Sequence, residues 1–298
     1  MGWRIVYIED ALRLNYKLNS IGINTNNDLI WINLDEIDVI VIESLICNTS
    51  VKLLIEIVKK GISVILCGDN HMPIGMINSL VDNQSSAKFN RKQIEWNKSL
   101  KQIVWQRIIK HKILLQSIVL YMLGKKEKLE LLKEFADNVE VGDITNREGH
   151  AAKIYFHELF GSDFIWKRNS TDIYNSSINF MYQVIRSKIS QEIVSHGYIA
   201  SLGIFHCNEF NYFGLADDLI EVYRPIIDYY VYKLIREENV TFLTSNIKEK
   251  MLKMLFNYVN FGKSKQKILE SIRLYVFSVT DSLTNGNLDE LTFPTFYE

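Results

Sequence analysis

Proline is close to absent from this chain, with three in 298 residues. With so few breakers and no glycine-rich tract, long linkers and disordered segments are not expected. Cysteine is as scarce. Cys47, Cys67 and Cys207 are odd in number, far apart and in no metal-ligand spacing. The first two sit among apolar residues, so buried free thiols are the expectation. No stretch reaches eighteen uncharged apolar residues, so no membrane-spanning helix is expected. The start Met1-Gly2-Trp3-Arg4 shows no charged leader before an apolar run, and Val6 stands where a myristoylation signal needs Ser or Thr. A cytoplasmic protein with no membrane partner is therefore expected. GxGxxG, Walker and HExxH motifs are missing too. The Gly68-Asp69-Asn70 turn follows a strand-like run but lacks the glycines needed to wrap a phosphate.

What is present is ordinary in bulk: 47% hydrophobic and 23% charged residues, enough to bury a large core in one domain or two unequal ones. The formal charge of −1 gives no reason to expect nucleic-acid binding. Its distribution says more. From Lys88 to Lys128 there are eleven Lys or Arg against two acids, a balance of +9, whereas residues 1 to 60 carry six basic and eight acidic residues, a balance of −2. A basic middle is either a footprint for a polyanion or the solvated face of a long helix.

Strand character dominates the first seventy residues. Trp3 to Ile8, Leu12 to Lys17, Leu29 to Ile32 and Ile37 to Ile42 are rich in branched and aromatic residues and are separated by Asn, Asp and Gly turns. Val51, Leu54, Ile55 and Val58 then share one helix face, with Ser50 placed to cap it and Gly61 to end it. Ile62 to Cys67 returns to a buried strand. After Pro73 the pattern becomes helical. The mixed, polar stretch Ser79 to Arg91 reads as a linker, and helices are expected from Gln93 to Leu123, Lys126 to Phe135, Arg147 to Phe160, Ser176 to Tyr198, Asp217 to Arg236, Ser245 to Tyr258 and Lys263 to Phe277. Leu288 to Glu298 shows no element and is expected to dock as a tail. The fold class is α+β: a β-rich domain over 1–76, a linker region over 77–92 and a larger all-helical domain over 93–298.

Three separated pieces carry possible chemistry. Asn146 is placed to cap a helix whose first turn holds Glu148, where the helix dipole favours a charged carboxylate. His206 lies in a polar, Phe-rich loop after Gly203. Asp218 and Glu221 are three apart on an expected helix, and so can face one site, while Asp217 is better placed for capping. Each has a plainer reading: Glu148 stabilising its turn, His206 as a structural hydrogen-bonder, the acids on a wet helix face. If Glu148, His206 and Glu221 converge, two carboxylates and one imidazole suit Mg²⁺ or Mn²⁺ better than a closed zinc site. Such an ion suits phosphate chemistry.

Met1-Gly2-Trp3-Arg4, Asn146-Arg147-Glu148-Gly149-His150-Ala151-Ala152 and the run Leu215-Ala216-Asp217-Asp218-Leu219-Ile220-Glu221-Val222-Tyr223-Arg224-Pro225 resemble the type II branch of the CRISPR-associated endonuclease one family, the integrases of spacer acquisition. The likeness runs through nearly the whole chain, with separated motifs in the expected order. It implies Glu148, His206 and Glu221 as metal ligands, Glu221 where many relatives have aspartate, and Asp218 as a nearby acid that tunes the catalytic site or holds water. It also implies an N-terminal β-sandwich-like domain, used for dimerisation, ahead of a helical catalytic domain. The resemblance further implies a homodimer and a 4:2 assembly with the small second CRISPR-associated protein. That assembly would take double-stranded DNA with 3′ overhangs and CRISPR repeat DNA, and would join them by 3′-hydroxyl attack without nucleotide hydrolysis. Contact with the type II effector nuclease and a ring-forming accessory protein is implied as well.

DNA needs positive contacts to hold it in line. Arg91, Lys92, Lys98, Lys101, Arg107 and Lys110 are the candidates, with Arg147 and Lys153 beside the first ligand and Arg224 near the last. Arg224 is equally placed to pair with Glu221 or Asp228. Trp96 and Tyr121 are either stacking residues or core and interface residues. His150 is either a proton-transfer aid or a structural hydrogen-bonder. Two other functions remain: a nuclease for branched DNA using water as nucleophile, and a DNA-binding scaffold whose acids only cap helices.

Overall fold

The β-branched and aromatic runs near the N-terminus do form strands, because such side chains pack well on a pleated, half-buried surface. The computed structural model describes residues 2–79, 85–167 and 170–297. It divides into two units, Met1–Gln84 and Ser85–Glu298. In the first, β1 (Arg4–Ile8), β2 (Arg13–Lys17), β3 (Ser20–Asn24), β4 (Leu29–Asn33), β5 (Ile37–Ile42), β6 (Asn48–Thr49), α1 (Val51–Lys59), β7 (Ser63–Cys67) and β8 (Pro73–Ile77) follow in order. One sheet has the order β1-β5-β7-β8, parallel except for β8; the other has the order β4-β3-β2-β6. Both contribute to one hydrophobic cluster: Val6, Ile8, Ile40 and Val64 from the first, Leu14 and Ile21 from the second, closed by Leu53 and Ile57 of α1. Ser50 caps α1 as expected, its Oγ accepting from Leu53 N at 3.2 Å.

Three strands of this unit escape the sequence pattern, among them β6, which is only two residues long. β3 is paired to β2 through Leu18 and Asn19, both at positive φ, the geometry that a tight hairpin demands. β8 begins at Pro73, on an edge where a missing N–H costs least. Of the linker expected over 77–92, residues 80–84 lie outside the described residues. Ile77 closes β8, and Ser86–Ile94 form a helix.

The second unit runs through α2 (Ser86–Ile94), α3 (Lys98–Met122), α4 (Leu129–Asp137), α5 (Arg147–Phe160), α6 (Ile173–Ser195), α7 (Gly214–Leu219), α8 (Arg224–Glu237), α9 (Ser245–Lys253), β9 (Tyr258–Phe261), β10 (Ser264–Lys267), α10 (Ile268–Asn285) and β11 (Pro294–Phe296). It is not all-helical. The stretch expected to extend helices on either side of Gly262 instead forms the β9–β10 hairpin, turned at Gly262 with φ +59°, and the expected tail adds β11 to it. α3 is buried along much of its length and packs against α4, α5, α8 and α10. It is the strut from which the site is built.

The C-terminal strand is strapped to α3. Arg107 Nη1 donates to Leu288 O at 2.8 Å, and His111 Nε2 bonds Pro294 O at 2.8 Å while its ring stacks on Phe293. Burial pushes the His111 pKa down to about 4, the Pro294 carbonyl opposing it weakly. The unfolded chain takes up this proton near pH 6.5 and the folded chain only near 4, so the neutral ring favours folding above pH 6.5 and that contribution is lost as pH falls toward 4. It amounts to about 3 kcal/mol. The gap in urea midpoint between the native chain and His111→Gln should shrink across this window. A gap constant from pH 7 to 4 would contradict the assignment. Comparing the two proteins cancels the opposite effect of Asp228, whose pKa burial raises to about 7.

Candidate metal centre

Glu148 is held by a strained turn. Gly142, Asp143 and Asn146 all have positive φ, at 76°, 48° and 51°. Asn146 Oδ1 accepts from Gly149 N at 3.2 Å, the cap read from the sequence. A Cβ on Gly149 would lie 2.8 Å from that oxygen, so a side chain there would push the cap aside. The second cap was not legible. Asp143 is buried and accepts from Arg147 N at 2.8 Å and Glu148 N at 3.1 Å. Together the two residues satisfy N–H groups that a helix start leaves without partners, and so fix the direction in which α5 presents Glu148.

His206 is positioned by Asp218. That carboxylate is fully buried and accepts from the backbone N–H groups of Ile204, Phe205 (3.0 Å) and His206 (3.1 Å). It also accepts a hydrogen bond from His206 Nδ1 at 2.6 Å, which leaves Nε2 as the nitrogen facing away from the anchor. The Asp218 hydrogen bond raises the His206 pKa; burial opposes this, and the Glu221 and Glu148 charges add to it. Gly203 is required here, since a Cβ would sit 2.5 Å from His206 O. Trp105 of α3 packs from below, stacked on Phe205 at 4.4 Å and edge-on to His206 at 5.7 Å. Gln93 of α2 ties down the approach to the loop by accepting from Ile199 N at 2.7 Å and donating to Ile199 O and Leu202 O.

Asp218 and Glu221 take different partners. α7 ends at Leu219 and a tight turn spans Ile220–Val222, from which Glu221 reaches α3. Glu221 is buried, its Oε1 accepting from Arg224 Nε at 2.9 Å and its Oε2 from Lys112 Nζ. Burial works against its charge, but Arg224 and Lys112 outweigh that and hold its pKa down to about 2. The same Lys112 Nζ donates to Glu148 Oε1 at 2.7 Å. Burial also opposes the ammonium, yet the Glu148 and Glu221 charges carry the Lys112 pKa above its ordinary value.

Glu148 and Glu221, 73 positions apart in sequence, therefore meet at one ammonium, and the His206 ring lies within the field of both. Among the described residues, no three His, Cys, Asp or Glu side chains are grouped closely enough to hold an ion. The chemistry of the donors still fits one: two carboxylates already gathered around a cation, and an imidazole with Nδ1 committed and Nε2 left over. Lys112 belongs to the basic middle of the chain, and its charge alone does not mark it as part of the site. Its signal was its spacing, since it continues the apolar face of Trp105, Ile108 and Ile109, where a lysine is buried and has to be paired.

The basic candidates separate into tethered and free. Arg224 pairs with Glu221 and lies over the Tyr182 ring at 4.5 Å; Tyr182 in turn donates to Asp228. Arg224 also lines a cavity of about 190 Å³ with Trp166, Asn179, Gln183 and Arg186. Arg107 holds the C-terminal tail, Lys110 pairs with Asp137 at 3.0 Å, and Arg147 lies over Phe135 at 5.4 Å. Arg91, Lys98 and Lys153 are exposed, while Lys92 and Lys101 are half-buried. Trp96 is a core residue whose Nε1 donates to Thr284, whereas Tyr121 and His150 are exposed.

α5 and the turn after α7 thus bring two acids to one lysine, with the histidine of the 203–206 loop nearby, and the family to which the chain belongs follows from its likeness to known proteins. The chain belongs to the CRISPR associated protein Cas1 family, whose model matches residues 5–257. It is 30% identical over 295 residues to a CRISPR-associated endonuclease Cas1 of Neisseria meningitidis serogroup C (strain 8013), covering 99% of this chain and 96% of that protein. Among solved structures, a casposase bound to integration product matches with a TM-score of 0.79 at 16% identity, over 96% of this chain and 92% of that one. A CAS1 protein from Thermotoga maritima matches with a TM-score of 0.77 at 16% identity, over 94% and 97% of the two chains. These two share the fold. Membership in the family also supports the α+β class read from the sequence.

Proposed function

We propose that this protein is a metal-dependent DNA integrase and endonuclease of the type II branch. In this reading it inserts short foreign DNA fragments into a CRISPR array by 3′-hydroxyl attack on repeat-boundary phosphodiesters. The observation that carries the reading is the shared cation of Glu148 and Glu221 beside a histidine whose Nδ1 is committed to Asp218. The Neisseria relative is called an endonuclease and the casposase is bound to an integration product, and both fit a chain that cuts and joins DNA. Mg²⁺ or Mn²⁺ held by Glu148, His206 and Glu221 would polarise the scissile phosphate and activate the hydroxyl. The chain's own contribution is position and charge. Asp218 keeps the imidazole in one tautomer, so that Nε2 is a ligand. Asp143 and Asn146 aim Glu148. Arg224, beside Glu221, offers a guanidinium to a phosphate oxygen, and Arg91, Lys92, Lys98, Lys101, Arg107, Lys110, Arg147 and Lys153 are the remaining candidates for DNA backbone contacts.

The partners in this reading are double-stranded DNA with 3′ overhangs, CRISPR repeat DNA and a second copy of the chain. A matching solved complex contains Cas2 beside Cas1, which supports the small second CRISPR-associated protein as a partner; in this reading the two form a 4:2 assembly. The type II effector nuclease and a ring-forming accessory protein complete the set, in the cytoplasm. Leu29, Ile30 and Trp31 are exposed on the edge strand β4, which favours homodimerisation through the first unit, residues 1–76.

The test is a joining assay with a 3′-labelled fragment and a supercoiled repeat-containing plasmid, with and without the small partner. Label should appear in the plasmid only with a free 3′-hydroxyl and with Mg²⁺ or Mn²⁺, and EDTA should abolish it. Plasmid that is cut while the label stays free would mean water is the nucleophile, and would contradict the reading.

A further inference from the structure

We propose that Lys112 is an internal counter-cation that holds the ion-free site together and has to leave its two carboxylates when a divalent ion enters. The inference rests on the metal centre proposed for Glu148, His206 and Glu221. Its ground is geometric. Lys112 reaches out from the middle of α3, is buried, and bonds one oxygen of each acid through the same nitrogen. The other Glu221 oxygen is held by Arg224. Two carboxylates are thus matched by two cations, and the His206–Asp218 pair is matched within itself when the imidazole is protonated. An ion arriving with Lys112 and Arg224 both in place would leave an excess of positive charge in a buried site, where like charges repel strongly.

One of the two has to move, and their surroundings decide which. Arg224 is bonded to Glu221 and also lies over the Tyr182 ring, a contact that an ion does not replace, whereas both bonds of Lys112 go to the carboxylates that the ion would take over. Lys112 is a compact charge on a flexible four-carbon stem, and such a group withdraws more easily than a planar guanidinium. The consequence is a site whose folding does not depend on metal, because the lysine cancels the mutual repulsion of the acids. Loading becomes an exchange of ammonium for ion, with Lys112 released toward whatever anion accompanies the ion.

Mn²⁺ binding to the intact chain without DNA tests this, read by calorimetric titration and by the Mn²⁺-induced rise in Tm, for the native protein, Lys112→Met and Lys112→Arg. Lys112→Met removes the competitor. It should lower the ion-free Tm, enlarge the Mn²⁺-induced rise and tighten binding by on the order of tenfold or more. Lys112→Arg keeps the charge in a fork that yields less readily, and should weaken binding by at least about threefold. If Lys112→Met does not fold without metal, recovery on adding Mn²⁺ supports the inference, and the arginine variant decides it otherwise. Equal affinity in the native and arginine proteins, or weaker binding by Lys112→Met, overturns the role of Lys112 while the metal centre stands. Absence of binding in all three overturns the centre and this inference together.

Discussion

Glu221→Gln should abolish DNA joining and unfold more easily than the native chain by about 3–5 kcal/mol, whereas Glu148→Gln should abolish joining with little loss of stability. Both are assigned as ligands, so both lose activity. Their surroundings separate them. Glu221 is buried between Arg224 and Lys112, and neutralising it leaves a buried lysine and a half-buried arginine short of a partner, the costly way to break an ion pair. Glu148 has 25% of its side chain exposed and is bonded through Lys112 alone among these groups. Water reaches it, so the pair contributes about 1 kcal/mol or less. Urea midpoints and the joining assay on the two proteins measure both effects. Equal stability losses would mean that the buried network around Glu221 is misplaced, and joining retained in either variant would remove that residue from the site.

Asp218→Asn should be nearly as damaging, although Asp218 is not assigned as an ion ligand. The carboxylate accepts four hydrogen bonds from the 204–206 backbone and the His206 ring, in a place with no exposure to solvent. An amide of the same shape turns one acceptor into donors, and at least one buried N–H then faces another. Each buried donor left without an acceptor costs about 1–3 kcal/mol. The histidine also loses the partner that commits Nδ1. Losing such a partner weakens a metal site by about 10–100-fold. The expected result is therefore a double one: a lower Tm, and Mn²⁺ binding weaker by that factor in whatever fraction folds. Normal stability with unchanged Mn²⁺ affinity would show that Asp218 does not organise the loop.

Legibility in the sequence followed the strength of local signals. Helix α5 spans Arg147–Phe160, the bounds its pattern suggests, because Asn146 caps it and Gly161 ends it. β1, β4 and β5 are runs rich in branched residues and bounded by turns, and β2 alternates apolar with polar, so all four are legible in the sequence. β3 contains Gly22, whose lack of a side chain breaks the alternation. At Gly22 the Trp31 ring covers the backbone, 2.8 Å from where a Cβ would sit, so a side chain there would displace the ring. β10 reads Ser264-Lys265-Gln266-Lys267, polar throughout, and becomes a strand only because β9 pairs with it. A run of four polar residues carries no apolar alternation by which a strand is read.

The site divides in the same way. Glu148, His206 and Glu221 stood out through motif resemblance, since spacing alone left each with a plainer role. Asn146 was legible as a cap from its residue type and position. Asp143 was not, because it acts through a left-handed turn that no periodicity marks. Asp218 was noticed for its charge, but its work is done through backbone N–H groups twelve to fourteen positions earlier, which only the folded chain brings to it. Arg107 and Lys110 share the spacing of a helical stripe, and that spacing does not disclose that one straps the tail and the other pairs with α4.

Anomalous diffraction from crystals of this protein grown with Mn²⁺ tests the ligand set most directly. The expected map has one strong manganese peak in the helical unit, about 2 Å from a carboxylate oxygen of Glu148, from His206 Nε2 and from a carboxylate oxygen of Glu221. A map at saturating Mn²⁺ with no peak there, or with manganese held by other residues while Glu148 and Glu221 remain bonded to Lys112, would contradict it.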